Sequence, residues 1–187
     1  QAPRRANPGY PGTEFWLWLR LKLIADAGLV GLPNAGKSTF INAVTNAQAK
    51  VGAYAFTTTR PQLGVVRHRN REFVVADIPG LIEGAHEGSG LGDRFLRHIA
   101  RTRVLMHLVD ASVGADEVVS AWETIREELK RAGLGLDTKP MLVVASRADT
   151  LEDPEPVCRV LREACGSEVL ALSSQTGAGV TGVLRRL

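Results

Sequence analysis

Two hydrophobic periods alternate along most of this chain. Continuous apolar or period-two runs fall near 25–31, 62–67, 72–77, 103–110, 140–146 and 168–172. Between them, near 37–45, 93–101, 116–131, 154–165 and 179–187, the pattern is helical. The runs at 104–109 and 141–145 are apolar throughout except for His107, as expected for strands covered on both faces. This order predicts an α/β domain of three layers, with a mostly parallel six-stranded sheet and helices on both faces. Ligands of such sheets bind beyond the carboxyl ends of the strands. His107, inside an apolar strand, is expected to be a hydrogen-bonded core residue.

Upstream the pattern changes. Over 14–23, Phe15, Leu17, Leu19, Leu21 and Leu23 alternate with Trp16, Trp18, Arg20 and Lys22, which predicts a strand with a large half-exposed aromatic face. Trp16 and Trp18 are then either covered by something outside this chain or laid against the domain's own surface. Residues 1–12, with three prolines, two glycines and the pair Arg4-Arg5, read as an extended arm. The lack of an initiating Met predicts a piece of a longer protein.

Composition narrows the class. The 187 residues, 44% of them apolar, suffice for one core. No run approaches the roughly 20 apolar residues of a membrane span, and 1–7 lacks the apolar core of a signal peptide. A cytoplasmic monomer is expected. Cys158 and Cys165, seven apart in one helical segment, indicate neither a disulfide framework nor a zinc site. The net charge of +3 divides unevenly, +7 over residues 1–70 and −4 over 71–187. A basic front either steers the domain toward phosphate-rich partners such as RNA or simply solvates a surface.

The candidate chemistry sits at predicted strand ends. Gly31-Leu32-Pro33-Asn34-Ala35-Gly36-Lys37-Ser38, followed by Thr39, fits G-x-x-x-x-G-K-[ST] between a strand and a helix. Glycines at each end let backbone N–H groups wrap a phosphate, and the helix presents its positive end to the same anion. Lys37 would reach the β- and γ-phosphates, and Ser38 would ligate magnesium. Forty residues after Lys37, Asp77-Ile78-Pro79-Gly80 ends another strand. Asp77 can reach magnesium, and the Gly80 amide can meet a γ-phosphate. Between them Phe56-Thr57-Thr58-Thr59-Arg60 has no periodicity; a threonine there, for which Thr58 is chosen, would complete the magnesium shell when triphosphate is bound.

Base recognition is expected at Ser146-Arg147-Ala148-Asp149, where GTP-binding domains carry N-K-x-D. Asp149 would accept two hydrogen bonds from guanine, a donor pair that adenine lacks. Ser146 can replace part of the Asn bonding, and the Arg147 stem can cover the base. Ser173-Ser174-Gln175 would lend a backbone N–H to the guanine O6. Five elements in this order point to a P-loop GTPase that binds GTP and GDP. Leu81 stands where many GTPases carry a water-orienting Gln. Catalysis would then rest on Lys37, Thr58, Gly80 and Asn34, since a P-loop Asn in related GTPases can help hold a potassium ion. Glu83, His86 and Glu87 either orient water or belong to a solvated loop.

The chain resembles the Obg family of ribosome-associated GTPases in LKLIAD at 21–26, YAFTTTRPQLG at 54–64 and DIPGLIEGAHEGSGLG at 77–92, followed by Asp93-Arg94-Phe95-Leu96-Arg97-His98. The resemblance implies a slow GTPase acting in assembly of the large ribosomal subunit or in stress and cell-cycle control, and binding of guanosine tetraphosphate. It also implies that residues 1–24 are the tail of a glycine-rich N-terminal Obg domain, or a linker, ahead of a GTP-binding domain at 25–187. Ser146-Arg147 departs from the Asn-Lys of the motif, and Ser174 from its usual Ala. The competing expectation is a docking module that holds nucleotide loosely and turns over little.

Overall fold

A computed structural model describes residues 9–19, 23–45, 62–77, 96 and 98–187. Its strands are β1 (Ala25–Val30), β2 (Gln62–His68), β3 (Arg71–Asp77), β4 (Thr102–Asp110), β5 (Met141–Ser146) and β6 (Val169–Ala171). They form one sheet in the order β2-β3-β1-β4-β5-β6, antiparallel only between β2 and β3. The helices are α1 (Lys37–Val44), α2 (Ala115–Ala132), α3 (Glu155–Cys165) and α4 (Val180–Arg186), with single 3-10 turns at Ala111–Val113 and Ala148–Thr150. Helical backbone also occurs at 98–100, inside the predicted 93–101 segment. The six predicted strands are all present.

The alternation of strand residues decides which helix lies where. Ala27 and Leu29 of β1, Val75 of β3, Met106 and Leu108 of β4, and Val144 of β5 point to one face, where they pack with Phe40 and Ile41 of α1 and Val183 of α4. Their neighbours point the other way. Val30, Ala76 and Leu105 pack with Ile125 and Leu129 of α2, while Val143 and Ala145 meet Val118 of α2 and Val157 and Leu161 of α3. The sheet is thus buried between two helical layers, which is why its central strands tolerate apolar residues at every position.

Local signals set the helix ends. α2 starts with Asp116 and Glu117 and ends with Lys130 and Arg131, charges that complement its dipole, and Gly133 terminates it with φ +66°. α3 follows Pro154 and stops at Gly166 in the left-handed region. Cys158 is buried within α3, and both cysteines are free.

Of the strand expected over 14–23, the described residues 14–19 and 23 form none, and residues 20–22 lie outside the described residues. Residues 9–19 have no regular secondary structure, and Trp16 and Trp18 are 98% and 100% exposed, so neither lies against the domain. An alternating segment becomes a strand only if a neighbour takes its hydrogen bonds, and no strand of the described sheet pairs with it. Among the described residues no helix is long and apolar enough to cross a membrane.

Candidate functional site

The carboxyl ends of β1, β3, β4 and β5 bring most of the candidate residues together. Gly31 leaves β1 with φ +153°, and a Cβ there would stand 2.3 Å from the Leu108 carbonyl of β4, so the loop can lie this close to the sheet only with glycine. Leu32 is half-buried, Pro33 and Asn34 are exposed, and Asn34 takes φ +64°. Ala35 is buried, its N–H closing a turn on the Leu32 carbonyl at 3.2 Å. Gly36, at φ +87°, caps α1. The first hydrogen bond of the helix runs from Phe40 N–H to Gly36 O. The amides of Lys37, Ser38 and Thr39 are therefore first-turn donors with no partner inside the helix, the arrangement that receives an anion.

Lys37 Nζ donates to the carbonyls of Gly31 at 2.8 Å and Leu32 at 2.9 Å, so the loop folds around its own lysine. An ammonium has three donors, which leaves one for a phosphate oxygen. Burial lowers the Lys37 pKa, and the nearby Asp77 charge opposes that shift. Beside it, the Ser38 hydroxyl donates to Asp77 Oδ2 at 2.6 Å. Asp77 is 5% exposed, and its other oxygen, Oδ1, is buried with no hydrogen-bond partner in the structure. A hydroxyl and a buried carboxylate with a spare oxygen, both hard oxygen donors, suit magnesium.

The base side is assembled from two loops. Ser146, 2% exposed at the end of β5, shares its hydroxyl proton between the carbonyls of Ala35 at 2.8 Å and Val109 at 3.1 Å. It thereby ties the phosphate loop to β4 and β5, a contact its sequence position did not reveal. Arg147, in the left-handed region at φ +56°, donates from Nη1 to Asp110 Oδ2 at 3.0 Å. Ala148 N–H reaches the Leu172 carbonyl at 3.0 Å, joining this loop to the one after β6. There Ser173 is buried and its Oγ accepts from Thr176 N–H at 3.1 Å, while Ser174 is half-buried and Gln175 exposed. Exposed Asp149 and buried Ser173 line a shallow cavity of about 230 Å³ with Ala148, Thr176, Ala178 and Gly179.

Phe56, Thr57, Thr58, Thr59, Arg60, Ile78, Pro79 and Gly80, with Leu81, Glu83, His86 and Glu87, lie outside the described residues. Asp110, which accepts from Arg147 beside Ser146, is a candidate that sequence reasoning missed. Its available signal was an Asp closing an apolar strand and followed by Ala111-Ser112, a turn-forming pattern. His107 is buried as expected, but its Nδ1 has no hydrogen-bond partner in the structure. A larger cleft of about 1030 Å³ opens at the opposite, amino-terminal ends of the strands, between Asp26, Phe73, Arg103 and Leu187. It contains none of the residues above, and the geometry that suits phosphate is at the other end.

A family model described as 50S ribosome-binding GTPase matches residues 26–147. GTPase Obg of Sphingopyxis alaskensis is 60% identical over all of this chain and 54% of its own length. GTPase Obg of Erythrobacter litoralis is 59% identical over 98% of this chain and 52% of its own length. The chain spans about half the length of the curated relatives it matches. Among solved structures, the G domain of the Thermotoga maritima FeoB iron transporter shares the fold with a TM-score of 0.64 at 20% identity, covering 86% of this chain and 94% of that one. Aquifex aeolicus Era bound to GDP and aluminium fluoride does so with a TM-score of 0.62 at 22% identity, covering 87% and 55%.

Proposed function

Because this chain belongs to the 50S ribosome-binding GTPase family, and within it to the Obg group, we propose that it binds GTP and GDP at the carboxyl edge of its sheet and hydrolyses GTP. The observation that carries the reading is the meeting of Ser38 and Asp77 at 2.6 Å beside Lys37, at the mouth of a helix whose first amides are free to bind an anion. Lys37 and the amides of 36–39 hold the β- and γ-phosphates. Ser38 and Asp77, with Thr58, hold magnesium, which supplies positive charge where phosphate charge develops. Thr58 and the Gly80 amide answer to the γ-phosphate, so that the segments carrying them form a GTP/GDP switch. Asp149 accepts from guanine, Ser146, Arg147 and Ala148 hold Asp149 in place, and 173–175 meet the O6 edge. Asn34 takes part in placing potassium near the transferring group.

Residues 25–187 are then the GTP-binding domain, and 1–24 the tail of a preceding Obg-type domain or a linker. The partner proposed is the large ribosomal subunit, and the alternative guanine ligand is guanosine tetraphosphate. One solved relative, Era, has been seen with MgGDPNP and a piece of 16S ribosomal RNA, at a TM-score of 0.59 and 21% identity. A docking module without turnover is not favoured, since the phosphate loop and Asp77 are intact. Displacement of a fluorescent GDP by unlabelled GTP, GDP and ATP with magnesium tests the binding, and phosphate release in potassium and in sodium tests the turnover. Competition by guanine nucleotides alone, with faster release in potassium, is expected. Equal competition by ATP would overturn the guanine assignment, and equal rates in the two salts would remove Asn34 from the mechanism.

A further inference from the structure

We propose that Asp110 is a positioning residue for purine recognition, acting through Arg147; this rests on the nucleotide reading above. Asp110 and Ser146 are register partners at the ends of β4 and β5, so the acid stands next to the loop that carries Asp149. Its two oxygens divide their work. Oδ1 accepts from the Ser112 N–H at 2.9 Å and the Ser112 hydroxyl at 2.6 Å, holding the turn after β4. Oδ2 receives the Arg147 guanidinium at 3.0 Å.

Arg147 immediately precedes the one-turn helix Ala148–Thr150, so its side chain leaves the backbone two residues from the purine-reading carboxylate. Its positive φ is a conformation a side-chain-bearing residue rarely takes, and such conformations persist where the surroundings impose them. In the Asn-Lys version of this motif a short ammonium ends the stem. An arginine brings a longer side chain and a broad charged fork. Left unanchored, that fork samples many positions. Asp110 fixes its end, so the methylene stem is the part left to lie over the base. The pair is half-exposed at Arg147, hence weak as a source of stability, and its consequence is orientation. Ser146, locked onto Ala35, and Arg147, anchored to Asp110, thus share the tasks of the absent Asn and Lys.

Asp110→Asn tests this with little disturbance, because an amide oxygen keeps the Ser112 turn while the amide nitrogen cannot accept from Arg147. GDP and ADP affinities are measured in the full chain for Asp110→Asn, Arg147→Met and the double variant, alongside thermal unfolding. With Arg147 present, Asp110→Asn is expected to weaken GDP about tenfold, and with Met at 147 less than about twofold, a coupling reachable by directly paired side chains. The unfolding midpoint should move little, and ADP, which lacks the guanine donor pair, should bind weakly to the parent and to every variant. Equal weakening in both backgrounds, or none in either, overturns the proposal, as does an Asp110→Asn chain that no longer folds. A parent chain that binds no GDP brings down the nucleotide reading and this proposal together.

Discussion

Ser146→Ala removes one hydroxyl from a site that is 2% exposed and leaves the backbone untouched. The hydroxyl is the hydrogen-bond donor to the buried Ala35 carbonyl, at 2.8 Å, and makes a second contact of 3.1 Å with Val109 O. A net intramolecular hydrogen bond contributes about 0.5–1.5 kcal/mol, and an acceptor left buried without a donor costs about 1–3 kcal/mol. The variant should therefore lose about 2 kcal/mol, or about 4–8 °C in melting temperature for a domain of this size. The loss has a second readout. A phosphate loop released from β5 must be ordered again on binding, at about 1 kcal/mol, which lowers GDP affinity about fivefold. Urea unfolding and GDP displacement measure the two effects. Stability within about 0.5 kcal/mol of the parent, the scatter of neutral surface changes, together with unaltered GDP binding, would refute the idea that Ser146 tethers the loop.

Other outcomes follow from the same geometry. Gly31→Ala places a methyl 2.3 Å from the Leu108 carbonyl; it should destabilise by about 3 kcal/mol in urea, and a parent-like midpoint would show that the loop does not lie against β4. Lys37→Ala should abolish phosphate release while the chain still unfolds cooperatively; retained turnover would place the phosphates elsewhere. Chelation of magnesium should weaken GDP through Ser38 and Asp77, and should no longer do so in Asp77→Asn. His107, fully enclosed, has its pKa lowered from 6.5 to about 3, first by burial and then by the charges of Arg126 and Lys37. The unfolded chain therefore binds a proton that the folded chain refuses: this contribution is at full strength above about pH 6.5 and declines as pH falls toward 3, by at most about 1.4 kcal/mol per unit. Between pH 7 and 5 the parent should lose about 2 kcal/mol more in urea than His107→Leu; parallel losses would mean that His107 takes up its proton within the fold.

The strands were legible because burial on both faces leaves a mark that local propensity cannot hide. At 104–109 and 141–145 every residue but His107 is apolar, as a sheet covered on both faces permits. The alternation over the described residues 14–19 misled for the complementary reason. Alternation records that a segment has two unlike faces, but the ladder that makes it a strand belongs to a partner, which no single segment encodes. The candidate phosphate loop was legible because its residues are consecutive and match one spaced pattern. Asp110 was not. It meets Arg147 across 37 positions of sequence, and their proximity is set by the pairing of β4 with β5 rather than by any spacing.

The same pairing explains how a departure from the Asn-Lys motif can be accommodated. In a sheet of this topology, the ends of β1, β4 and β5 are adjacent, so a carbonyl of the first loop, a carbonyl of the second strand and a hydroxyl of the third meet within hydrogen-bond reach. What the site requires at position 146 is a donor toward Ala35 and Val109, and a serine supplies one proton where an asparagine would supply two. The single hydroxyl proton is shared between the two carbonyls. Arg147, paired with Asp110 on the adjacent strand, adds a separate tie from the other side of the loop. The Ala148-to-Leu172 bond then carries the connection on to the loop after β6. Loosening any one of these ties should therefore be felt in phosphate and base binding together, and a variant that weakened GDP while leaving inorganic pyrophosphate equally well held would show that the two halves of the site are independent.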